Sequence, residues 1–168
     1  GIRGGSATVH FPIWHQEIRD IIVLKNNKGT EDNRVRKLDY SIQLSALFYQ
    51  RFIDNEKITL FSPHDVAGLY DSFGTESFDD LYKQYELDES IPKTQVDAQE
   101  LILDLLKERA ETGRVYLMNI DHCNSHSSFI DKVEMSNLCQ EITLPTKPIQ
   151  HIDDKTGEIA LCIRSAIN

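Results

Sequence analysis

The stretch TQVDAQELILDLLKERAETGRVYLMNI, residues 94–120, decides the fold class. From Thr94 to Glu111, the residues Val96, Leu101, Leu105 and Leu106 recur at helical spacing, and this predicts a helix. Gly113 supplies the stop, because glycine accepts the left-handed conformation that ends many helices. Val115 to Ile120 is then a short apolar run of strand length. A helix feeding directly into a buried strand is the building unit of an α/β fold.

Working outward, the same alternation recurs. Residues 8–13 alternate loosely and run into a helix-like segment, Trp14 to Leu24, with Trp14, Ile18, Ile21 and Ile22 on one face. Asn26-Asn27-Lys28-Gly29 stops it. A second helix is expected over Leu38–Phe52, with Ile42, Ala46, Leu47 and Tyr49 inward. Ile58–Phe61 reads as a short strand, and Ser62-Pro63 opens a helix to about Tyr70. A short helix fits Phe78–Tyr85 in the acidic stretch 74–92. Residues 121–137 read as loop, Glu141–Leu144 as a short strand or turn, Asp153–Gly157 as a turn, and Ile159–Ile167 as a final strand. The whole is α/β, and residues 1–168 read as one segment whose strands lack evident partners. Both ends look cut, since the chain starts Gly-Ile-Arg-Gly-Gly and stops in an apolar run.

The chain holds 27 acidic and 18 basic residues, a formal net charge of −9. That balance argues against non-specific binding to nucleic acid or to an anionic membrane. No apolar run approaches the roughly 20 residues of a membrane-spanning helix, and no signal peptide is evident. Three cysteines, an odd number without a leader, fit a reducing cytoplasm better than a secreted disulfide scaffold. Cysteine chemistry here is then more readily catalytic than structural.

Four places could carry chemistry. In Ser136-Asn137-Leu138-Cys139-Gln140-Glu141, Asn137, Cys139 and Glu141 lie two apart. Alternate side chains of an extended segment share a side, so an amide, a thiol and a carboxylate can converge. The amide can orient a substrate hydroxyl, the carboxylate can take its proton, and the thiol can do covalent, redox or radical work. The same spacing also suits a packing cysteine between two surface polar residues. Cys162, inside Glu158-Ile-Ala-Leu-Cys-Ile, reads either as a core cysteine or as half of an electron-supplying dithiol. Asp121-His122-Cys123-Asn124-Ser125-His126 contains zinc-ligand types. Its flanks favour a loop and no second cluster follows at finger-like spacing, so these side chains read as braces ahead of Cys139, and no metal site is assigned. Gly1-Ile-Arg-Gly-Gly lets a backbone approach a ligand, with Arg3 as a fork for phosphate or carboxylate.

These residues together resemble the large (alpha) subunit family of class I, aerobic ribonucleotide reductase. The resemblance is carried by GIRGG at 1–5, WH at 14–15, VLKNNKG at 23–29, NRVRKLDYSIQ at 33–43 and LFSPHDVAGLYD at 60–71. ERAETGRVY at 108–116, NIDHCNSHS at 119–127, SNLCQEITLPTKP at 136–148 and GEIALC at 157–162 continue it in the family's order. Residues 72–100 and 128–135 match it least. The resemblance implies part of a ten-stranded α/β barrel with the radical cysteine on an internal loop. It implies that Cys139 becomes a transient thiyl radical that takes the ribose 3′ hydrogen. Glu141 is then the base for the 3′ hydroxyl, and Asn137 orients the substrate, which the run Asn137, Leu138, Cys139 and Glu141 contacts. Cys162 is implied as one member of the redox dithiol, with its partner upstream of residue 1. Arg3 falls in the specificity-effector loop, and Arg114 and Tyr116 fall near the internal radical path.

The family further implies that the chain binds no cofactor itself. A metal-containing small (beta) subunit supplies the radical, a thioredoxin- or glutaredoxin-type protein re-reduces the dithiol, and ATP or deoxynucleotide effectors act mainly through other segments. The substrate implied is a ribonucleoside diphosphate. The chain alone is expected to be inactive. Two further readings are a non-enzymatic assembly module derived from the same fold and a glycyl-radical enzyme. No glycyl-radical motif is present, and the aerobic-type strings argue against the latter.

Overall fold

A computed structural model describes residues 4–147, 149 and 151–158. The strands are β1 (Thr8–Pro12), β2 (Asp39–Leu44), β3 (Lys57–Phe61), β4 (Lys93–Asp97), β5 (Val115–Asn119), β6 (Met135–Ser136) and β7 (Thr143–Leu144). The helices are α1 (Ile18–Ile22), α2 (Ala46–Ile53), α3 (Leu69–Ser72), α4 (Phe78–Leu87), α5 (Ala98–Thr112) and α6 (Ile120–Ser125). The principal sheet has the order β1-β2-β5, all parallel, with His10 beside Ser41 and Ser41 beside Tyr116. β3 and β4 pair antiparallel, as do β6 and β7. A single parallel bridge from His15 to Phe61 ties β3 to the chain leaving β1. Mixed α/β architecture with a parallel sheet is therefore present, and among the described residues the sheet does not close into a barrel. The final strand expected over 159–167 lies outside the described residues.

Several elements differ from the sequence expectation. The helix expected over Leu38–Phe52 is strand β2 followed by helix α2. Ile42, Ala46 and Tyr49 fit a helical stripe, but the even positions Tyr40, Ile42 and Leu44 also fit one face of a strand. The central place of β2 between two strands settles the conflict. Ser45, extended at φ −128°, marks the boundary. Beyond it Ala46 is exposed and Tyr49 points outward to donate its hydroxyl to Asn119 Oδ1 at 2.7 Å, while Phe48 is fully buried. Likewise the helix expected from Thr94 starts at Ala98, because 93–97 pair along the whole of β3. Asp97 caps it, accepting the Glu100 N–H at 2.9 Å. Leu101 and Leu105 are buried as expected, but Leu106 is not. Only Ile18–Ile22 of the first expected helix is α-helical, although Trp14, Ile18, Ile21 and Ile22 are all buried. The helix expected from Ser62 is a series of turns, and α3 starts only after Gly68, at φ +75°. Residues 121–137, read as loop, contain most of α6 and the strand β6.

The core is aromatic. Phe48 meets Phe73, Phe78 and Tyr82 with ring centroids 5.5–6.1 Å apart, and Tyr82 continues to Phe61 at 5.6 Å. Such tilted and edge-on contacts add to the free energy of burying apolar area. A polar network crosses this core. Arg51 donates to both carboxylate oxygens of Glu86 at 2.6 and 2.5 Å and to Lys57 O at 2.8 Å. Thr59 Oγ1 donates to Glu86 at 2.6 Å, and the Tyr82 hydroxyl accepts from Thr59 N–H and donates to Thr59 O. Burial and the nearby Glu86 hold the Tyr82 hydroxyl far above its ordinary value, so it stays protonated.

The principal sheet has two unlike faces. Tyr40, Ile42, Leu44 and Val115 alternate onto an apolar side and are buried. The intervening positions place Thr8, His10, Ser41, Gln43, Tyr116 and Met118 on the other side, with Ser41 and Gln43 buried. Parallel sheets are normally apolar on both faces, so a buried polar face marks a place where something other than a helix packs. Burial also lowers the pKa of His10 and His15 below the ordinary 6.5, against the Ser136 backbone at His10 and the Glu17 carboxylate at His15, which oppose the shift. Below pH 6.5 the unfolded chain then binds more protons than the folded one, so stability falls as pH falls. The urea midpoint is expected to be higher at pH 7.5 than at pH 5.5, with the difference reduced by His10→Gln. Equal midpoints in the parent chain would contradict this.

Candidate active site

The polar face of the sheet receives the β6–β7 hairpin. Asn137 N–H donates to Ile142 O at 3.1 Å, closing a four-residue loop over 138–141, and Gln140 N–H returns to Asn137 O at 3.2 Å. Asn137 Oδ1 also accepts the Ile142 N–H at 3.0 Å. Loops of this length are commonly built on a β-turn followed by a left-handed residue, and Gln140 holds φ +61°. The expectation of an extended segment with Asn137, Cys139 and Glu141 alternating onto one side is therefore corrected. The three sit in and beside one tight turn, which gathers them by reversing the chain rather than by pleating it. Leu138, Cys139 and Glu141 are exposed at the tip, and Asn137 is half-buried. The side chain of Asn137 braces the loop through its oxygen, and its NH2 group takes no part in that bond.

Hydrogen bonds fasten the hairpin along the sheet from base to tip. Asn124 holds the approach, accepting Val133 N–H at 2.8 Å and donating to Val133 O and Ile120 O at 2.9 Å each. That is the bracing role read for the 121–126 stretch. Gly74 permits it, because a Cβ there would come within 2.9 Å of Asn124 Nδ2. Gln43 Nε2 then donates to Glu134 O at 2.6 Å, and Ser136 N–H donates to His10 Nε2 at 3.4 Å. Nearer the tip, Gln140 bridges Ser41 and Leu117 O, and Thr8 Oγ1 donates to Leu138 O at 2.5 Å. The hairpin thus enters at the carboxyl end of β2, and its tip reaches the amino end of β1.

Charged residues converge on that tip. Lys25 pairs with the Asp39 carboxylate and donates to Leu38 O at 2.7 Å, and Arg114 Nη1 stands 4.0 Å from Asp39 Oδ1. The Tyr116 hydroxyl is pushed above its ordinary value, chiefly by burial and then by the nearby Asp39, Cys139 and Glu141, with Arg114 opposing. Tyr116 is therefore a protonated phenol within electrostatic reach of the thiol and the carboxylate. Arg3 and Cys162 lie outside the described residues. Sequence reasoning missed Thr8, Ser41, Gln140, Asp39 and Lys25. The bonds of Thr8, Ser41 and Gln140 join tip and sheet across up to 130 residues, and no local pattern announces them or the Lys25–Asp39 pair.

Cys123 is partly buried on α6, and burial followed by the nearby Asp121 raises its thiol pKa. His122 and His126 stack edge-on, 6.0 Å apart. Among the described residues, no group of three or more histidine, cysteine or acidic side chains could hold a metal ion. No described helix is long and apolar enough to cross a membrane. A cavity of about 610 Å3 opens beyond the carboxyl ends of β2 and β5, lined by Ser45, Phe78, Asp79, Asp121 and His122 among others, and is separate from the Cys139 tip.

Comparison with known proteins places the sequence in a family. The family model described as ribonucleotide reductase, barrel domain, matches residues 1–168. The chain is 56% identical over its whole length to the ribonucleoside-diphosphate reductase subunit alpha of Haemophilus influenzae, covering 23% of that protein. It is 54% identical over 89% of its length to the ribonucleoside-diphosphate reductase 1 subunit alpha of Escherichia coli, covering 20% of it. It is also 35% identical over 96% of its length to the ribonucleoside-diphosphate reductase large subunit of Arabidopsis thaliana, again covering 20%. The chain spans less than a quarter of the length of each of these relatives. With a hairpin of matching sequence laid on a polar sheet face and full-length agreement to the family model, the chain belongs to the ribonucleotide reductase family, as a stretch of its barrel domain.

Proposed function

We propose that this chain supplies the reaction-initiating part of the active site of a ribonucleoside-diphosphate reductase. The observation that carries the reading is the fastened hairpin tip, which holds Cys139 and Glu141 in one four-residue loop beside a protonated Tyr116. In this reading the Cys139 thiyl radical takes the ribose 3′ hydrogen and becomes a thiol. Glu141 takes the 3′ hydroxyl proton, so that charge does not accumulate on the sugar. Asn137 and the loop backbone at Leu138 orient the substrate. The 2′ hydroxyl leaves as water, Cys162 with a second thiol supplies the two electrons and two protons and becomes a disulfide, and Cys139 then returns its hydrogen to C3′, which restores the thiyl radical. Tyr116 and Arg114 stand on the route by which the radical reaches Cys139, and Arg3 belongs to the loop that relays effector identity.

Residues 1–168 act here as a single segment of the barrel, and its partners are the remaining segments of the large subunit. A metal-containing small subunit makes the radical, a thioredoxin- or glutaredoxin-type protein restores the dithiol, and ATP or deoxynucleotides tune specificity. The setting is cytoplasmic. The test is reconstitution. The chain is mixed with the complementing segments and the small subunit, and deoxyribonucleoside diphosphate formation is measured. Turnover is expected only when the chain and all other components are present. Turnover by the chain alone, or full turnover without it, contradicts the proposal.

A further inference from the structure

Gln140 occupies a position that its residue type does not explain. A turn that calls for φ near +61° favours glycine or asparagine, which reach that region without crowding a Cβ. A glutamine there implies a use for its side chain. That side chain leaves the loop and bridges two strands of the sheet: Nε2 donates to Leu117 O on β5 at 2.7 Å, and Oε1 accepts from Ser41 Oγ on β2 at 3.0 Å. Ser41 has no exposed surface, so in the folded chain its hydroxyl meets the amide and not bulk water. Both polar ends of the amide are used, and the two partners lie on neighbouring strands of the parallel sheet, Ser41 on the central β2 and Leu117 on β5.

We propose that Gln140 is a positioning residue for the reaction at Cys139, its amide bridge between Ser41 and Leu117 O fixing the orientation of the two residues that flank it, Cys139 and Glu141. The inference rests on the role proposed above for Cys139. The physical reason is leverage. A single residue lies between the thiol and the carboxylate, so clamping its side chain fixes the backbone on both sides at once. Thr8 Oγ1, donating to Leu138 O, ties the leading side of the turn to β1, whereas Gln140 ties the residue between the thiol and the carboxylate. A misplacement of about 1 Å at a reacting group can cost on the order of 100-fold in rate, so a loop with three exposed residues at its tip needs such a clamp.

The experiment compares Gln140→Gly, Gln140→Met, Gln140→Glu and Ser41→Ala in the reconstituted enzyme. Gln140→Gly is the decisive variant, because it suits the backbone conformation and so folds, yet removes the clamp. Both Gln140→Gly and Gln140→Met are expected to lower kcat roughly 10- to 100-fold with KM little changed. Gln140→Glu carries a signature that a merely structural residue lacks. Its carboxylate cannot donate to Leu117 O, but its protonated form can, so its kcat relative to the parent should rise as pH is lowered. Hydrogen exchange at the Gln140 and Ile142 amides, followed by mass spectrometry of the peptide over 137–144, should quicken by about tenfold in the clamp variants. A Gln140→Gly enzyme with kcat within twofold of the parent overturns the proposal, as does a flat pH ratio for Gln140→Glu. If exchange quickens as expected but Cys139→Ser retains turnover, the clamp stands and the role of Cys139 is what fails.

Discussion

Cys139→Ser is expected to reduce deoxynucleotide formation by the reconstituted enzyme to the assay background while leaving the fold intact. The side chain is exposed at a turn, so exchanging sulfur for oxygen there should change stability by less than about 0.5 kcal/mol. The hydroxyl keeps the shape of the thiol but not its chemistry. Its bond to hydrogen is much stronger, so a radical arriving at the loop finds no atom on which to rest. Glu141→Gln provides a graded contrast. It preserves hydrogen-bonding size but cannot accept the proton, and losing a general base costs typically 10²–10⁴-fold. The measurement is product formation together with the thermal midpoint of each variant. Retained turnover in Cys139→Ser would remove the thiol from the mechanism, whatever the resemblance implies.

The largest stability effect is expected far from the hairpin, at Glu86. Its carboxylate takes two hydrogen bonds from Arg51 and one from Thr59, and the side chains of Arg51 and Glu86 are only 10% and 14% exposed. Glu86→Ala leaves the buried guanidinium with only the exposed Glu56 carboxylate, 3.9 Å away, as counter-charge, and breaking such a buried pair costs about 3–5 kcal/mol. Residual hydrogen bonding to Lys57 O and the face of Tyr82, 5.1 Å below the guanidinium carbon, cannot replace a bidentate carboxylate. For a chain of this size the melting temperature should fall by on the order of 10 °C. The double variant Arg51→Met with Glu86→Leu should recover much of that loss, because removing both charges also removes the desolvation cost. Urea unfolding of the three variants separates these terms, and a loss under 1 kcal/mol for Glu86→Ala would show that the pair is not an essential internal contact.

How far the elements were legible depends on whether local pattern and tertiary place agreed. Phe78–Leu87, the buried part of α5 and Val115–Asn119 were readable because each carries one period and one environment. Asp97 and Gly113 mark the ends of α5 by their own chemistry, one accepting an N-terminal N–H and the other adopting φ +66°. The segment 38–52 was misread because it joins a strand to a helix without a proline or glycine between them. Its apolar residues satisfy either period until β1 and β5 are known to flank it. The helix expected after Ser62 failed because Gly68 in a left-handed conformation delays the first regular turn.

The same division runs through the site. Legible from the string alone were a thiol and a carboxylate two apart after an asparagine, and the family in which that string occurs. Those are matters of residue type and order, which no folding alters. Folding makes the string a tight turn, gives Gln140 its two partners on the sheet, and brings Asp39, Arg114 and Tyr116 near the tip. The contacts between hairpin and sheet join residues remote in the chain. Their free energy arises from the burial and geometry of a parallel sheet, whose neighbouring strands are brought together by the crossover connections between them rather than by local sequence.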